Sequence, residues 1–340
     1  IKVPVNDPLY KKELRIARIL LDCDVFISVP VLKSHISTGI SVALKNSFGL
    51  IPDVDKIQIH RDGMLEEAIV DINSVRAPDL VVVDALVAAE GVAGGVDFSH
   101  PVRRNLIIAG EDPVAVDMTC VKLMKHNPSI RHILWADKKG IGNANPALIR
   151  VKGIPPEESA YPFLTPREQI MQEAKYLNLL DLDACSGCRG VVESELIRFS
   201  KRGLLRPINI AYGPGEISSS PGELLLIGDC TKRYQNRGRW IPGCPVKAGS
   251  LRKAMEDLNL VCFKCANEAL SAIKDFKESS LEKLRILASN REIYRGQSNQ
   301  AKIEDLLVLV GDCEENYYRY HGDRLRKILK QEPDRYMEFI

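Results

Sequence analysis

Four cysteines impose the strongest constraint on how this chain folds. Cys185 and Cys188 form a C-x-x-C pair, Cys230 closes an apolar run that ends in Gly-Asp-Cys, and Cys244 lies in a Pro-Gly-Cys-Pro turn. A glycine stands close to each of them, which lets the backbone pass near a bulky group. If the apolar runs are parallel strands, three loops bring four thiols to the same edge of a sheet.

Converging thiols of this kind indicate a metal centre. An iron-sulfur cluster needs several cysteine ligands around one point, and C-x-x-C supplies two of them from one tight loop. We therefore predict a [4Fe-4S] cluster on the four cysteines. Zinc on both C-x-x-C pairs is an alternative that leaves Cys230 and Cys244 without a role; its ligands would be Cys185, Cys188, Cys262 and Cys265. A redox-active dithiol at the first pair would explain only two of the nine cysteines.

Short apolar runs alternate with helical patterns in the first part of the chain. The apolar runs, rich in Val and Ile as strands buried on both faces are, lie at 24–31, 79–84 and 103–110. Helices are predicted at 66–75 and 113–124. The alternation predicts the α/β class, with a largely parallel sheet.

Four prolines close together indicate a boundary in the middle of the chain. We predict an α/β domain over 1–150, a linker over 151–175 and a cluster-binding α/β domain over 176–257. A short helix, PREQIMQEAKYLNLL, is predicted from Pro166. The remainder, 258–340, is predicted to be a degenerate repeat of the cluster-binding unit.

The repeat rests on a second, incomplete cysteine set. Cys262 and Cys265 form a C-x-x-C pair, and Cys313 follows a second Gly-Asp. The gap from the pair to the third cysteine is 230 − 188 = 42 residues in one copy and 313 − 265 = 48 in the other. A second metal site on Cys262, Cys265 and Cys313 is one interpretation, a remnant without metal is another, and chance similarity is a third.

Two family resemblances accompany these motifs. Cys-x-Gly-Cys, Gly-x-Cys and Pro-Gly-Cys-Pro, over about 180–255, resemble the cluster-binding subunit of respiratory complex I and the small subunit of nickel-iron hydrogenases. That resemblance implies a proximal-type [4Fe-4S] site on the four cysteines in a flavodoxin-like domain. The chain departs from the pattern at Val246, where the family usually has a second proline.

The other resemblance covers about residues 20–150. The run DVFISVPVLKSHISTGISVALKNSFGLIP, followed by Lys56, His60, VVVDAL, GEDPVAVD and GIG, is similar to domain-of-unknown-function family 362. Members often carry iron-sulfur modules, which agrees with the cysteine set, but the resemblance supplies no reaction. The family domain usually begins earlier and this chain opens with Ile1, so we expect that an N-terminal part is missing.

Charged side chains follow the strands of the first domain. The basic ones could bind a carboxylate or phosphate, and they are Lys33, His35, Lys45, Lys56 and His60. The acidic ones could form an acid/base or metal-binding pocket, and they are Asp84, Glu90, Asp112 and Asp117. As catalytic candidates we select Lys33, His35 and Asp84. Structural alternatives are solvated surface charges for Lys45 and Lys56, a helix N-cap for Asp112, and an outward-facing side chain for Asp117.

The overall composition limits the classes of partner that we expect for this protein. With 47 basic and 45 acidic residues the net charge is +2, which does not favour nucleic acid. No apolar run reaches the ~20 residues of a membrane span, and no signal segment is visible, so we expect a cytoplasmic protein. The leading hypothesis is an iron-sulfur oxidoreductase or electron-transfer protein with a redox partner protein or a small anionic substrate. The alternatives are a non-redox enzyme or ligand-binding module with a structural cluster or zinc, and a module that docks onto a larger redox complex.

Overall fold

The computed structural model describes residues 1–94, 100–174, 177–200, 208–218 and 222–258, and four strands beyond residue 283. The contacts of the chain form two compact units. The first consists of Ile1–Gln172, Leu177–Ser194 and Ile208–Ala248, and the second of Glu173–Tyr176, Glu195–Pro207 and Gly249–Ile340. The domain boundaries expected from the sequence stay predictions. None of the described helices is long and apolar enough to cross a bilayer.

The chain alternates strands and helices over most of its length. The strands are β1 (Lys2–Pro4), β2 (Glu13–Arg15), β3 (Ile27–Ser28), β4 (Val31–His35), β5 (Gly39–Ser41), β6 (Leu80–Ala89), β7 (Pro101–Gly110), β8 (Leu177–Asp181), β9 (Ile208–Tyr212), β10 (Leu224–Ile227), β11 (Arg239–Ile241), β12 (Leu284–Ala288), β13 (Arg291–Tyr294), β14 (Leu306–Val310) and β15 (Tyr336–Phe339). The helices are α1 (Ile19–Asp22), α2 (Ala43–Asn46), α3 (Asp53–Asp62), α4 (Leu65–Val75), α5 (Pro113–Leu123), α6 (Arg131–Lys138), α7 (Pro156–Ser159), α8 (Pro166–Glu173), α9 (Ser186–Ser200) and α10 (Ala248–Asp257). The predicted α/β class is confirmed.

The first sheet is organised around β6. Strands β3 and β4 pair in parallel with one edge of β6, one after the other, and β7 pairs antiparallel with the other edge. Strand β5 pairs antiparallel with β4, so the sheet is mixed. The single strand expected at 24–31 is divided into β3 and β4, because Pro30 between them cannot donate to the ladder.

Helices α4, α5 and α6 contribute to one hydrophobic core with this sheet. Val81 and Val83 of β6 share it with Ile69 of α4 and Ile133 of α6, and all four are fully buried. Burial of a side chain of this size stabilises the fold by about 1.5–3 kcal/mol. The helices expected at 66–75 and 113–124 are therefore present as α4 and α5. Asp112 caps α5 as predicted, since its Oδ1 accepts from the backbone N–H of Val114 and Ala115 at 2.9 Å each.

The second sheet contains four parallel strands in chain order, β8, β9, β10 and β11. Strand β10 is buried throughout, as strands of parallel sheets are. The helix expected from Pro166 to Leu180 is wrong in its second half, because α8 ends at Glu173 and Leu177–Asp181 is β8. Leu177 and Leu179 pair with β9 instead, so tertiary pairing overrides a helix-compatible leucine pattern. The flavodoxin-like detail stays a prediction.

The described part of the second unit includes another largely parallel sheet. Its strand order is β13, β12, β14, β15, and only β13 is antiparallel. Strand β14 precedes Gly-Asp-Cys in the sequence, as β10 does. Cys262, Cys265 and Cys313 lie outside the described residues, so the duplicated unit and the second metal site stay predictions.

Candidate functional site

The four predicted cluster cysteines lie on three loops at one end of the second sheet. Cys185 directly precedes α9, Cys188 lies in the first turn of α9, Cys230 follows β10, and Cys244 follows β11. Because these strands are parallel, their carboxyl ends share one edge. The thiols are close enough to affect one another, since burial and then the charges of Cys185 and Cys230 raise the pKa of Cys244.

Hydrogen bonds prepare Cys185 to act as a thiolate. Its pKa is lowered to about 5, chiefly by a hydrogen bond from the Cys188 thiol, with the backbone N–H groups of Cys188 and Gly187 and the charge of Arg131 adding to the effect. These N–H groups belong to the first turn of α9, where unpaired donors favour an anion. The same thiol contact, together with burial, raises the pKa of Cys188. Cys185 is thus in the metal-binding form at neutral pH.

Glycines keep the space around these sulfurs open. Gly228 has φ +89°, and a Cβ placed there would lie 3.3 Å from the Sγ of Cys188. A Cβ on Gly187 would lie 2.9 Å from the Cα of Gly63, which follows α3, and the Ser186 hydroxyl donates to the Gly63 carbonyl at 3.4 Å. The C-x-x-C loop therefore packs directly against the N-terminal part of the first unit.

The four thiols are the ligand type that an iron-sulfur cluster takes. Among the described residues, no three His, Cys, Asp or Glu side chains are close enough to hold a single metal ion. A [4Fe-4S] cluster makes a different demand, because each cysteine binds a different iron and the sulfurs stand apart around a bulky core. Four free thiols on three loops, with Cys188 buried and Cys230 and Cys244 exposed, fit that demand.

The structure brings several of the predicted basic residues together. Lys33 and His35 lie on β4, and burial lowers the pKa of each. The charges of Lys45, His60 and Lys33 lower the pKa of His35 further. The pKa of Lys45 is lowered to about 8, first by burial and then by Lys33 and Lys56. Lys45 is half-buried and lies 5.0 Å from the centroid of the Phe48 ring, so it is not a fully solvated surface charge.

Asp84 and the other predicted carboxylates have structural contacts of their own. Asp84 accepts from the backbone N–H of Leu86 at 2.9 Å, beside an irregularity in the pairing of β6 with β7. Glu90 accepts from the backbone N–H of Leu164 at 2.8 Å. Lys33 and His35 lie on β4, and Asp84 lies on β6, the strand that pairs in parallel with β4. Their grouping as catalytic residues stays a prediction.

Asp117 is fully buried, so the outward-facing alternative is wrong. Its carboxylate accepts from the backbone N–H groups of Ala43 at 2.7 Å and Leu44 at 3.1 Å, at the start of α2. Burial raises the pKa of Asp117 to about 6, against the opposing charge of His132. The carboxylate thus joins α5 to α2 within the core.

A cavity of about 520 Å³ lies beside the Cys185 loop. Residues before 170 that line it include His35, Glu66, His126, Arg131 and Arg167. Residues around β8 and α9 complete it, and they are Asp181, Asp183, Arg189 and Glu193. Arg131 connects the two sides, because it donates to the Asp183 carbonyl at 2.6 Å and also lowers the pKa of Cys185.

Glu193 is the most perturbed acid of this cavity. Burial raises its pKa to about 8, and the Tyr212 hydroxyl donates to its carboxyl at 3.0 Å. Arg189 forms an ion pair with Asp181 at 2.8 Å, so its guanidinium charge is already balanced by an acid of the chain. The carboxyl of Glu193 is largely protonated at neutral pH and can donate a proton. The sequence analysis did not select Glu193 or Arg131 as site residues. The signal that could have indicated Glu193 is its position one helical turn after Arg189, on the helix that follows C-x-x-C.

The chain is similar to one family model and to one curated protein. A family model described as a domain of unknown function, DUF362, matches residues 1–122. A protein of Synechocystis described as thylakoid-associated is 27% identical over 205 residues, which cover 59% of this chain and 60% of that protein. The match thus spans about three fifths of the relative's length. No solved structure matches the chain at a significant level.

Proposed function

We propose that this chain is an iron-sulfur redox protein whose [4Fe-4S] cluster is held by Cys185, Cys188, Cys230 and Cys244. The observation that carries the proposal is the placement of four free thiols on three loops at the carboxyl edge of one parallel sheet. The resemblance of these motifs to the cluster-binding subunit of complex I and the hydrogenase small subunit supports it. Such a cluster would accept and release one electron at a time.

The residues around the sulfurs hold and tune the ligands. The backbone N–H groups of Gly187 and Cys188 face the Cys185 sulfur, and the N–H of Val246 faces that of Cys188. Hydrogen bonds to ligand sulfurs are one way in which a protein sets the reduction potential of a cluster. Gly228 leaves room beside Cys188 for the inorganic core.

The cavity beside Cys185 is the proposed small-molecule site. Arg167 suits a carboxylate or phosphate, because a guanidinium binds either group with two parallel hydrogen bonds, and Arg131, which already donates to the Asp183 carbonyl, adds positive charge. Glu193 would supply a proton to a molecule that receives electrons from the cluster. A cytoplasmic location stays part of the proposal, as expected from the sequence.

Metal analysis of anaerobically purified protein tests the proposal. We expect about four irons and four acid-labile sulfides per chain, and an S = 1/2 EPR signal after dithionite reduction. Cys244→Ser should lose or alter that signal. Cys23→Ser is the matched control, since Cys23 is half-buried and its thiol contacts the Leu20 carbonyl, at 3.5 Å, and the Arg76 side chain instead of the other cysteines.

A protein without a cluster at these cysteines would favour a second candidate function, a non-redox enzyme or ligand-binding module. Zinc without sulfide, or iron that is unaffected by Cys244→Ser, would contradict the cluster at these residues. The cavity and the basic residues around Lys33 and His35 would then be the site of a non-redox enzyme or ligand-binding module. A loss of small-acid binding in Lys33→Ala would support that function.

A further inference from the structure

A basic surface surrounds the exposed cysteines of the proposed cluster. Its exposed residues are Arg61, Lys232, Arg233, Arg237 and Lys247. Lys232 and Arg233 follow Cys230 within three residues, and Lys247 lies three residues after Cys244. The one acid in the 229–247 segment, Asp229, accepts from the backbone N–H of Gly243 at 2.9 Å and closes the loop. The exposed Glu216 lies beside the carbonyls that Arg233 and Arg237 bind, so the surface has an excess of positive charge that this acid partly offsets.

Aromatic rings and backbone carbonyls hold these charges in place. Arg233 and Arg237 lie over the Tyr234 ring, at 4.9 and 5.5 Å from its centroid. Arg237 also donates to the Ile217 carbonyl at 2.8 Å, and Lys232 lies 5.5 Å from the centroid of Trp240. Fixed cations lose less conformational entropy on binding than mobile ones do. The arrangement is thus preorganised for an anionic partner.

A groove joins the basic surface to the cysteine site. It has a volume of about 650 Å³ and is lined by Ile57, His60, Arg61, Val191, Cys244, Pro245, Val246, Lys247 and Ala248. Its lining is mainly apolar and also includes the basic side chains of Arg61 and Lys247, and docking sites commonly combine apolar and polar residues. Cys244, a proposed cluster ligand, is exposed in this groove. A redox centre that docks here would lie close to the cluster.

We propose that this basic surface docks a small acidic electron-transfer protein, which exchanges one electron with the cluster through the Cys244 groove. The inference rests on the proposed function above, since it assumes the cluster. In the exchange, a reduced [2Fe-2S] centre gives one electron to the oxidised [4Fe-4S] cluster, and no atom or proton is transferred. The exposed cluster ligands within the surface favour this occupant over a nucleic acid or an anionic membrane.

The test uses an acidic plant-type [2Fe-2S] ferredoxin and the full chain with its cluster. Stopped-flow absorbance follows cluster reduction by reduced ferredoxin, and calorimetry measures binding of oxidised ferredoxin. We expect the second-order rate constant to fall about tenfold or more in the double variant Lys232→Glu, Lys247→Glu, and to fall steeply with salt, because steering is electrostatic. Lys152→Glu, an exposed lysine that lines a separate cavity, should match the wild type.

The outcomes separate docking from the cluster itself. A cluster-loaded protein whose rate and binding are unchanged by the double variant would overturn the docking surface alone. Absence of iron and sulfide would overturn the proposed function, while salt-sensitive ferredoxin binding lost in the double variant would still support the surface. Tighter binding to phosphatidylglycerol vesicles or duplex DNA than to ferredoxin, also lost in the double variant, would overturn the proposed partner.

Discussion

At the scale of single residues, Gly228 combines a positive φ with a position directly beside a proposed ligand sulfur. In Gly228→Ala, the backbone conformation of φ +89° and ψ 163°, which is essentially restricted to glycine, would cost about 1–3 kcal/mol, and the new Cβ would press on Cys188 Sγ. We expect a lower free energy of unfolding in urea and a loss of bound iron. Gly153→Ala shares the strain, with φ +93°, but meets nothing within 4 Å, so it should lose stability and keep its iron. Equal iron in both variants would contradict the proposed space for the cluster.

Glu193 should give the protein a characteristic pH dependence. Its folded pKa of about 8 lies above the ordinary value of 4.5, so between these pH values the folded state keeps a proton that the unfolded state has released. Wild-type stability should therefore fall as pH rises through this window, by at most about 1.4 kcal/mol per pH unit from this group. Urea unfolding of Glu193→Gln from pH 4.5 to 8 should lack this component. Glu158→Gln, at an exposed position, should follow the wild type, and a parallel curve for Glu193→Gln would contradict burial of the carboxyl.

At the scale of elements, local sequence patterns predicted the helices whose positions are determined by local interactions. The apolar periodicity of α4 and the Asp112-Pro113 start of α5 were sufficient to locate both helices. Helix caps and amphipathic faces depend only on residues of the same segment. The strand-helix choice at Leu177–Asp181 depends on β9, which lies 30 residues further along, so it could not be predicted locally. The cavity was missed for the same reason, since Arg131 and Glu193 meet there only through tertiary packing.

The contact between α9 and the end of α3 provides a test at this scale. In Gly187→Ala the added Cβ would lie 2.9 Å from the Gly63 backbone, which cannot rotate away as a side chain could. We expect a loss of about 1–3 kcal/mol in the free energy of unfolding. Gly249→Ala also lies near a helix start but in open space, so it should be neutral or gain about 0.5–1 kcal/mol. A stability gain in both variants would mean that the two segments do not pack closely.

At the scale of the whole molecule, the compact unit extends beyond the family match. The match ends at residue 122, whereas the first unit continues to Ala248 and its core includes Ile133 and Phe163. Residues on both sides of that limit line the same cavity. The motifs in the sequence predict a site on the four cysteines, which stays a prediction. They could not predict that the C-x-x-C loop packs against Gly63 in the matched region, because no local pattern encodes that contact.

The second cysteine set decides how many metal centres one chain carries. A cluster needs four ligands, and 14 residues after Cys313, the spacing from Cys230 to Cys244, the chain has Lys327 instead of a cysteine. We therefore expect one cluster per chain. Replacing Cys262, Cys265 and Cys313 together by serine should leave about four irons and an unchanged EPR signal, whereas Cys185→Ser should remove both. A fall from about eight irons to four in the triple variant would instead establish a second cluster, with its fourth ligand supplied by another group.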